Sequence, residues 1–373
     1  MLVFQMRFVK RQDTGRLVSI EIVADENGTA YTNTVKRGWA MDAAIEWPSI
    51  NPASHLRRCD TSDQVQVSAN VRGEEPPRVV RTAGLPHVFC VVNGRRRHVP
   101  YAEWWDDEGW PVRPNFEIIE MDDLLRIPLG PPCPITAPLN GQPMDQIMRD
   151  PHLMRTYLGS LVNGKGIELG AGATPLPIPL QADVIYVDAF RYGSQESRSF
   201  PGTTDFSRHV QVDVADKIES LETFSDESQD FVIASHVIEH TPNPIGALAA
   251  ANRLLRRGGK LVLIVPDKRR TFDSPRETTP VTHMILDHED YRRDRDLIHY
   301  AEWYSRVVGG SAQMALADWE IGADIHYHCF TPESFMELIT SSMKYARWSR
   351  IDFIFPPDHQ VPEPIEFYAI LGK

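Results

Sequence analysis

The stretch Gly166-Ile-Glu-Leu-Gly-Ala-Gly-Ala-Thr-Pro175 decides how the rest of the chain is interpreted. An apolar segment containing Glu168 runs into a short turn made of Gly170, Ala171 and Gly172. Gly170 permits a tight turn, and Gly172 lets a ligand approach the backbone closely. The stretch therefore predicts a strand that ends in a ligand-binding loop.

An acidic residue follows this loop at an informative distance. Asp188 ends the next apolar run, Val184-Ile-Tyr-Val-Asp188, twenty residues after Glu168. A carboxylate at that position can accept hydrogen bonds from both hydroxyls of a ribose. Pro175 stands where a dinucleotide-binding loop usually has its third glycine. A nucleoside cofactor without a pyrophosphate is therefore favoured.

Short apolar runs alternate with helical patterns through the C-terminal part of the chain. The runs are Lys165–Leu169, Val184–Val187, Val210–Val214, Phe231–Ala234 and Leu261–Val265. This alternation predicts a mostly parallel sheet with helices on both faces. The predicted helices include Met144–Leu161 and Pro244–Arg257, the second ended by Gly258-Gly259. The last runs, Trp348–Phe355 and Ile365–Leu371, predict an antiparallel hairpin.

The N-terminal third has a different pattern, with little helical periodicity. Strands are predicted at Val18–Val23, Val65–Val71 and Val88–Val92, and Asn93-Gly94 is a strong hairpin signal. The proline-rich segment Ile127–Pro143 predicts an extended linker. We therefore expect a β-rich accessory domain with its linker at 1–143. The catalytic domain then spans 144–373, with a lid insertion at 267–330.

Composition and charge indicate which classes of partner and which cellular compartment to expect. The net charge of −12 disfavours nucleic acid, and we interpret the basic run Arg95–His98 as a solvated face. No apolar window is long enough to cross a membrane. None of the four cysteines belongs to a C-x-x-C pair, which predicts a cytoplasmic protein. We expect a small-molecule or glycan partner, and a homodimer is left open.

Six motifs, taken in order, resemble those of class I S-adenosylmethionine-dependent methyltransferases, close to the methyltransferase type 11 group. They are Glu168-Leu-Gly-Ala-Gly172, Asp188, Asp213-Val214, Ser235-His-Val-Ile-Glu-His240, Leu254–Pro266 and His326–Glu333. The resemblance covers about residues 150–373. It implies a Rossmann-like sheet and S-adenosylmethionine as cofactor, bound by the glycine loop.

The same resemblance assigns roles to individual residues of the cofactor site. It implies that Asp188 binds the ribose and that Asp213 contacts the adenine amine, with Val214 beside it. Ser235 follows the fourth strand of the sheet and is expected to line the cofactor site. Transfer of a methyl group from a sulfonium is an in-line displacement, so the protein mainly orients donor and acceptor and excludes water.

The insertion gives a weaker indication of the acceptor. Pro266-Asp-Lys-Arg269, followed by Thr271-Phe-Asp273, resembles bacterial methyltransferases of surface-sugar or natural-product pathways. This implies a hydroxyl or amine acceptor on a small molecule or sugar. The alternatives are a methyltransferase acting on RNA or protein, a nicotinamide-dependent oxidoreductase and a non-catalytic binding protein.

Several of the thirteen histidines fall where an acceptor should bind, and three interpretations remain open. They can be structural, or one can be a general base, for which His299 and His326 lead and His236 follows. The third interpretation is a metal site built from His236, Glu239, His240 and His326. Related metal-dependent enzymes have a glutamate at the position of His236, so the base is favoured and no metal is expected.

Overall fold

The structure is a computed structural model, and it describes residues 77–108, 110, 114–192, 206, 208–355 and 365–373, plus the backbone of three short strands before these. The strand predicted at Val65–Val71 lies outside the described residues, as does most of Val18–Val23. Within the described part of the chain, every helix is too short or too polar to cross a bilayer.

The strands fall into one large sheet, one four-stranded sheet and one isolated pair. In chain order they are β1 (Arg16–Ser19), β2 (Thr29–Ala30), β3 (Ile45–Glu46), β4 (Arg78–Thr82), β5 (Val88–Val92), β6 (Arg95–Val99), β7 (Phe116–Ile119), β8 (Lys165–Leu169), β9 (Asp183–Asp188), β10 (Val214–Ala215), β11 (Gln229–Ser235), β12 (Leu255–Pro266), β13 (Arg350–Phe355) and β14 (Glu366–Gly372).

The large sheet confirms the Rossmann-like α/β fold. Its order is β1-β13-β14-β12-β11-β8-β9-β10, and β8 to β12 pair in parallel. The predicted antiparallel hairpin is confirmed as β13 and β14, and β14 also pairs with β12. β8 lies between β9 and β11, so the chain order reverses beside it. Ligands of such sheets bind outside the carboxyl ends of the strands at this reversal.

Helices cover both faces of the large sheet or belong to the N-terminal third and the insertion. They are α1 (Trp104–Asp107), α2 (Met121–Arg126), α3 (Met144–Ile147), α4 (Pro151–Ser160), α5 (Pro244–Leu254), α6 (Val281–Glu289), α7 (Arg293–Trp303), α8 (Ala312–Ile321) and α9 (Pro332–Ser342). Both faces of the large sheet are buried under helices. Alternate residues of a strand point to opposite faces, so each strand contributes side chains to both cores. Val232 and Ala234 pack in the core under α5 and α9, whereas Phe231 and Ile233 pack in the core under α3 and α4.

Three predicted boundaries are wrong for local reasons. The helix predicted at Met144–Leu161 is divided, because Pro151 begins α4 and the Asp150 side chain caps it. α5 ends at Leu254 and β12 begins at the next residue, so Gly258, with φ +81°, lies inside a strand. The strand predicted at Val210–Val214 is only the short β10.

The N-terminal hairpin is confirmed, but its basic run is not a solvated face. Asn93 and Gly94 form the turn between β5 and β6 with φ of 50° and 73°. Arg97 is only 2% exposed and donates to the carbonyls of Pro131 and Pro179, at 2.9 and 3.1 Å. A guanidinium has five N–H donors, so one side chain can serve several carbonyls that lack partners. Arg97 thus joins the hairpin to the catalytic part of the chain.

The segment predicted as a linker is packed against this hairpin. The Cys133 amide donates to the His98 carbonyl at 3.0 Å, and the Gly130 amide donates to Arg96 at 2.9 Å. The Cys133 side chain is buried. The segment is therefore extended, as predicted, but it follows β6 closely.

The two ends of the insertion, residues 267–330, are paired with each other. Its first residue, Asp267, forms an isolated parallel bridge with its last, Phe330, and the Lys268 amide donates to the Phe330 carbonyl at 2.8 Å. Between these two residues the chain forms α6, α7 and α8. The insertion therefore leaves the sheet and returns to it at one place.

Candidate active site

The glycine loop has one packed glycine and one open glycine. Gly170 has φ +58°, and a Cβ there would lie 2.7 Å from Val237. Gly172 has φ +53°, and among the described residues the nearest atom to a Cβ there would be 3.8 Å away, on His209. Gly170 is thus needed for packing. The free space beside the Gly172 Cα, here called the open cradle, lets a ligand approach the backbone.

The buried Glu168 side chain is hydrogen-bonded to the backbone that follows this loop. It is fully buried, and one carboxylate oxygen accepts a hydrogen bond from the Leu176 amide at 2.8 Å. Burial raises the pKa of Glu168 to about 8. Its side chain therefore holds the end of the loop in place from inside the protein.

Asp188 lies at the carboxyl end of β9, next to the loop. The Gly170 amide donates to the Val187 carbonyl at 2.9 Å, which holds the loop against the end of this strand. The Asp188 carboxylate accepts from the Tyr192 hydroxyl at 2.8 Å and from the Ala189 amide at 2.7 Å. Each oxygen has a second lone pair, so the carboxylate can still accept from two ribose hydroxyls. The loop and Asp188 fit a nucleoside cofactor.

Asp213 has partners that the sequence did not predict. Its carboxylate receives a hydrogen bond from the Tyr186 amide at 2.8 Å and a salt bridge from Arg95 at 2.5 Å. Because Arg95 belongs to β6, this carboxylate joins the N-terminal hairpin to the sheet, and its contact with the adenine amine stays a prediction. Val214, in β10, pairs with Val187.

A cation that the sequence analysis missed reaches the loop from α4. Arg155 donates to the Thr174 carbonyl at 2.7 Å and to the Ser235 hydroxyl at 3.1 Å. Ser235 thus lies at the loop, as expected for a residue at the end of β11. Arg155 gave no sequence signal, because it lies in an ordinary amphipathic helix before the first motif.

His236, directly after β11, is tied to the sheet. Its φ is +52°, an unusual value for a residue other than glycine. Nε2 lies 2.7 Å from Glu366, and Nδ1 lies 3.7 Å from Glu239. Burial alone would lower the pKa of His236, but the hydrogen bond to Glu366 raises it above its usual value.

His240 and His326 lie together beside the cofactor site. Their rings are 4.5 Å apart between centroids and nearly perpendicular. His240 Nδ1 lies 2.8 Å from Asp324. Burial raises the pKa of Asp188, and the nearby Asp324 carboxylate adds to that effect. Asp324 therefore lies near enough to Asp188 to affect its pKa, and it is hydrogen-bonded to His240.

His326 is oriented by a buried acid. Its Nδ1 lies 2.6 Å from Asp273 Oδ2, and Arg276 donates to the other oxygen of Asp273 at 2.9 Å. Burial would raise the pKa of Asp273, but the hydrogen bonds from His326 and Arg276 hold it below its usual value. A carboxylate at Nδ1 fixes the tautomer that leaves Nε2 free to accept a proton.

Glu239 is a buried carboxylate without hydrogen bonds. Among the described residues, no donor reaches either of its oxygens, although the residue is fully buried. Ligand atoms of Glu239, His240 and His326 all lie within 4.8 Å of one another. The structure thus brings together three of the four residues of the metal alternative, and His236 lies beside Glu239.

His299 lies in a different cluster. Its Nε2 is 3.0 Å from Nε2 of His283, on the preceding helix. Burial and the neighbouring His283 lower the pKa of His299 to about 4. Its contacts are with α6 and Tyr327, whereas His326 contacts His240.

Asp273, Asp324 and Tyr192 were also missed as contributors to the site. Asp273 had a partial signal, because Thr271-Phe-Asp273 belongs to the segment that resembles other methyltransferases. Asp324 and Tyr192 had none, since their contacts with His240 and Asp188 depend on the folded chain.

Comparison with known proteins agrees with the motifs. A family model described as "Methyltransferase domain" matches residues 146–340, more than half of the chain. The chain therefore belongs to this methyltransferase family, and its cofactor is S-adenosylmethionine. No curated protein sequence matches it significantly.

Solved structures resemble the chain only distantly. One is an S-adenosylmethionine-dependent methyltransferase of Thermotoga maritima, described as a possible histamine N-methyltransferase; identity is 17%, coverage 61% of this chain and 92% of that chain, and the TM-score 0.33. The CurJ carbon methyltransferase has 14% identity, coverages of 61% and 53%, and a TM-score of 0.35. A Burkholderia thailandensis 1,6-didemethyltoxoflavin-N1-methyltransferase has 13% identity, coverages of 61% and 79%, and a TM-score of 0.33. With TM-scores this low, these structures do not constrain the acceptor.

Proposed function

We propose that the chain transfers a methyl group from S-adenosylmethionine to a hydroxyl or amine of a small molecule or sugar, in bacterial natural-product or surface-sugar synthesis. The observation that carries the proposal is the buried Asp273–His326 pair beside the cofactor motifs. Such a pair is a general base for an acceptor whose proton must be removed. The pathway rests on the resemblance of the segment 266–273.

When bound, S-adenosylmethionine supplies an electrophilic methyl group and leaves as S-adenosylhomocysteine. Asp188 would hold the ribose, the glycine loop at Gly172 would lie against the methionine part, and Arg155 would pair with the carboxylate of that part. His326 would take the acceptor's proton at Nε2. Asp273 holds Nδ1–H and stabilises the resulting imidazolium.

The geometry favours His326 over the other two candidates. His236 has Nε2 hydrogen-bonded to Glu366 and a raised pKa, so less of it is neutral. His299 has a pKa lowered to about 4 and contacts His283 through Nε2. A base with so low a pKa removes protons poorly near neutrality.

A second candidate mechanism uses a metal ion, and one observation favours it. Among the described residues, no donor forms a hydrogen bond to the fully buried Glu239, and its ion pairs with His236 and His240 are long, at 3.7 and 4.0 Å. A buried carboxylate with such weak partners is costly. A divalent ion held by Glu239, His240 and His326 would neutralise it and could bind the acceptor oxygen. Against this, His240 can carry the balancing charge, because Asp324 and Glu239 raise its pKa against the effect of burial to about 9.

The test uses the purified chain with methyl-labelled S-adenosylmethionine and a panel of sugars and hydroxylated or aminated small molecules. We expect label in one of these compounds, with equal release of S-adenosylhomocysteine. Label that appears only in RNA or protein would contradict the proposed acceptor class. The Glu239→Gln variant in the same reaction separates the mechanisms, since only the metal mechanism predicts that it loses bound metal together with activity.

A further inference from the structure

A second group of metal-binding side chains lies inside the insertion. His283 and Asp287 are one turn apart on α6, and His299 faces them from α7. His283 Nε2 lies 3.0 Å from both His299 Nε2 and Asp287 Oδ2, and the three ligand atoms lie within 4.8 Å of one another. This cluster shares no residue with the group of Glu239, His240 and His326.

The three side chains are held in orientations typical of metal ligands. Asp287 is 1% exposed, and Arg295 Nε lies 3.2 Å from its Oδ1, which leaves Oδ2 toward the histidines. His299 is 5% exposed, and its ring lies 5.9 Å from the ring of Tyr327 between centroids.

One proton at His283 Nε2 cannot satisfy both of its neighbours in the cluster. If the other nitrogen of His299 carries the ring proton, its Nε2 presents a lone pair, as does Asp287 Oδ2. His283 Nε2 lies near both but carries at most one proton, so it can donate fully to only one of them. A cation between the three atoms satisfies all three lone pairs together.

His328 adds a further buried imidazole beside the cluster. It is fully buried, and its ring centroid is 4.9 Å from that of His299 and 6.4 Å from that of His283. Nε2 lies 3.3 Å from the Pro242 carbonyl. Nδ1 has no hydrogen-bond partner in the described part of the chain. The surroundings of the three ligands are therefore polar and enclosed.

We infer that His283, Asp287 and His299 bind one divalent transition-metal ion of the Zn²⁺ class, which ties α6 to α7. Two imidazoles and a carboxylate are ligands of Zn²⁺ and of similar ions, with water completing the set. The role is structural: the ion fixes the two helices that lie between Asp273 and His326. The inference does not depend on which acceptor is methylated.

The test is a titration of the full chain with Zn²⁺ after removal of metals by a chelator. Bound metal is measured by elemental analysis and affinity by calorimetry. We expect His283→Ala and Asp287→Asn each to lose one equivalent of Zn²⁺ relative to the wild type, or to bind it at least about 100-fold more weakly, because loss of an outer-shell partner alone costs 10–100-fold. His288→Ala, in the last turn of α6, and Asp290→Asn, directly after the helix, should keep that equivalent.

A second variant and a diffraction measurement separate this site from the other one. Glu239→Gln should leave this equivalent of Zn²⁺ in place. Anomalous scattering from Zn²⁺-loaded wild-type crystals should show a peak between His283, Asp287 and His299, whether or not the variants fold. Absence of that peak overturns the inference. So does a Zn²⁺ equivalent that Asp287→Asn keeps and Glu239→Gln loses.

Discussion

Asp273 Oδ2 lies 2.6 Å from His326 Nδ1, although 53 positions separate the two residues in the sequence. Asp273 lies near the start of the insertion and His326 near its end. Arg276 strengthens the connection, because it donates to Asp273 and to the His326 carbonyl, at 2.9 and 2.8 Å. The insertion therefore brings an acid and its histidine together at the cofactor site.

The first prediction concerns this pair. His326→Gln should lower turnover by about 10²–10⁴-fold, because the acceptor's proton loses its base, while cofactor affinity stays unchanged. Asp273→Asn should lower turnover less and shift the pH–rate profile, since it acts only through His326. His288→Gln is the matched control, with turnover near that of the wild type. Turnover is measured as release of S-adenosylhomocysteine, and a fully active His326→Gln would remove His326 from the mechanism.

The second prediction concerns the ribose acid. Asp188→Ala should weaken S-adenosylmethionine binding roughly 10- to 100-fold, because hydrogen bonds to a charged group contribute about 1.5–3 kcal/mol. Asp183→Ala, at the opposite end of the same strand, should leave the affinity unchanged. Both affinities are measured by calorimetry. Equal affinities in the two variants would be incompatible with ribose binding by Asp188.

The third prediction separates the two glycines of the loop. Gly170→Ala should unfold at lower temperature, because its Cβ would lie 2.7 Å from Val237. Gly172→Ala should fold but bind the cofactor poorly, because its Cβ enters the open cradle. Gly84→Ala, at another left-handed position with free space, measures the backbone strain alone, about 1–2 kcal/mol. Thermal unfolding and calorimetry on the three variants check this, and unimpaired binding by Gly172→Ala would rule out the cradle.

The fourth prediction is a pH dependence of stability. In the folded chain, Asp324 and Glu239 raise the pKa of His240 from 6.5 to about 9 despite burial. A histidine whose pKa is higher in the folded chain than in the unfolded chain stabilises the fold fully at pH values below its unfolded-state pKa. This stabilisation is lost as the pH rises through its folded-state pKa. The free energy of unfolding of the wild type should therefore exceed that of His240→Gln at pH 6, and the difference should shrink toward pH 9. Urea titrations at several pH values measure it; a difference that grows with pH would contradict the assigned pairing.

The fifth prediction concerns the accessory region. Arg97→Met should lower the free energy of unfolding by at least about 2 kcal/mol, because buried carbonyls lose their donors. Arg78→Met, which removes only an exposed ion pair with Glu117, should change it by less than about 1 kcal/mol.

A fragment of residues 144–373 should still bind the cofactor, since the cofactor motifs lie inside it, but should unfold at lower temperature. A folded fragment that does not bind would show that the N-terminal third contributes to the cofactor site.

The sequence predicted what depends on neighbouring residues. The strands β8, β9, β11, β13 and β14 of the large sheet followed from apolar runs, and the turn at Asn93-Gly94 followed from its residue types. It did not predict the partners of Arg95 and Arg97, because charge runs are usually solvated and both partners lie far along the chain. The spacing of His283 and Asp287 on one helix face was visible, but the approach of His299 depends on how α6 and α7 pack.

The bridge between Asp267 and Phe330 has a consequence for how this enzyme can change. Because the insertion leaves and rejoins the sheet at one point, its length does not affect the register of β12 with β14. Duplication, shortening or exchange of the helices beyond the bridge would leave the cofactor loop intact. The bridge thus allows the insertion to vary in length without moving the sheet that carries the cofactor loop.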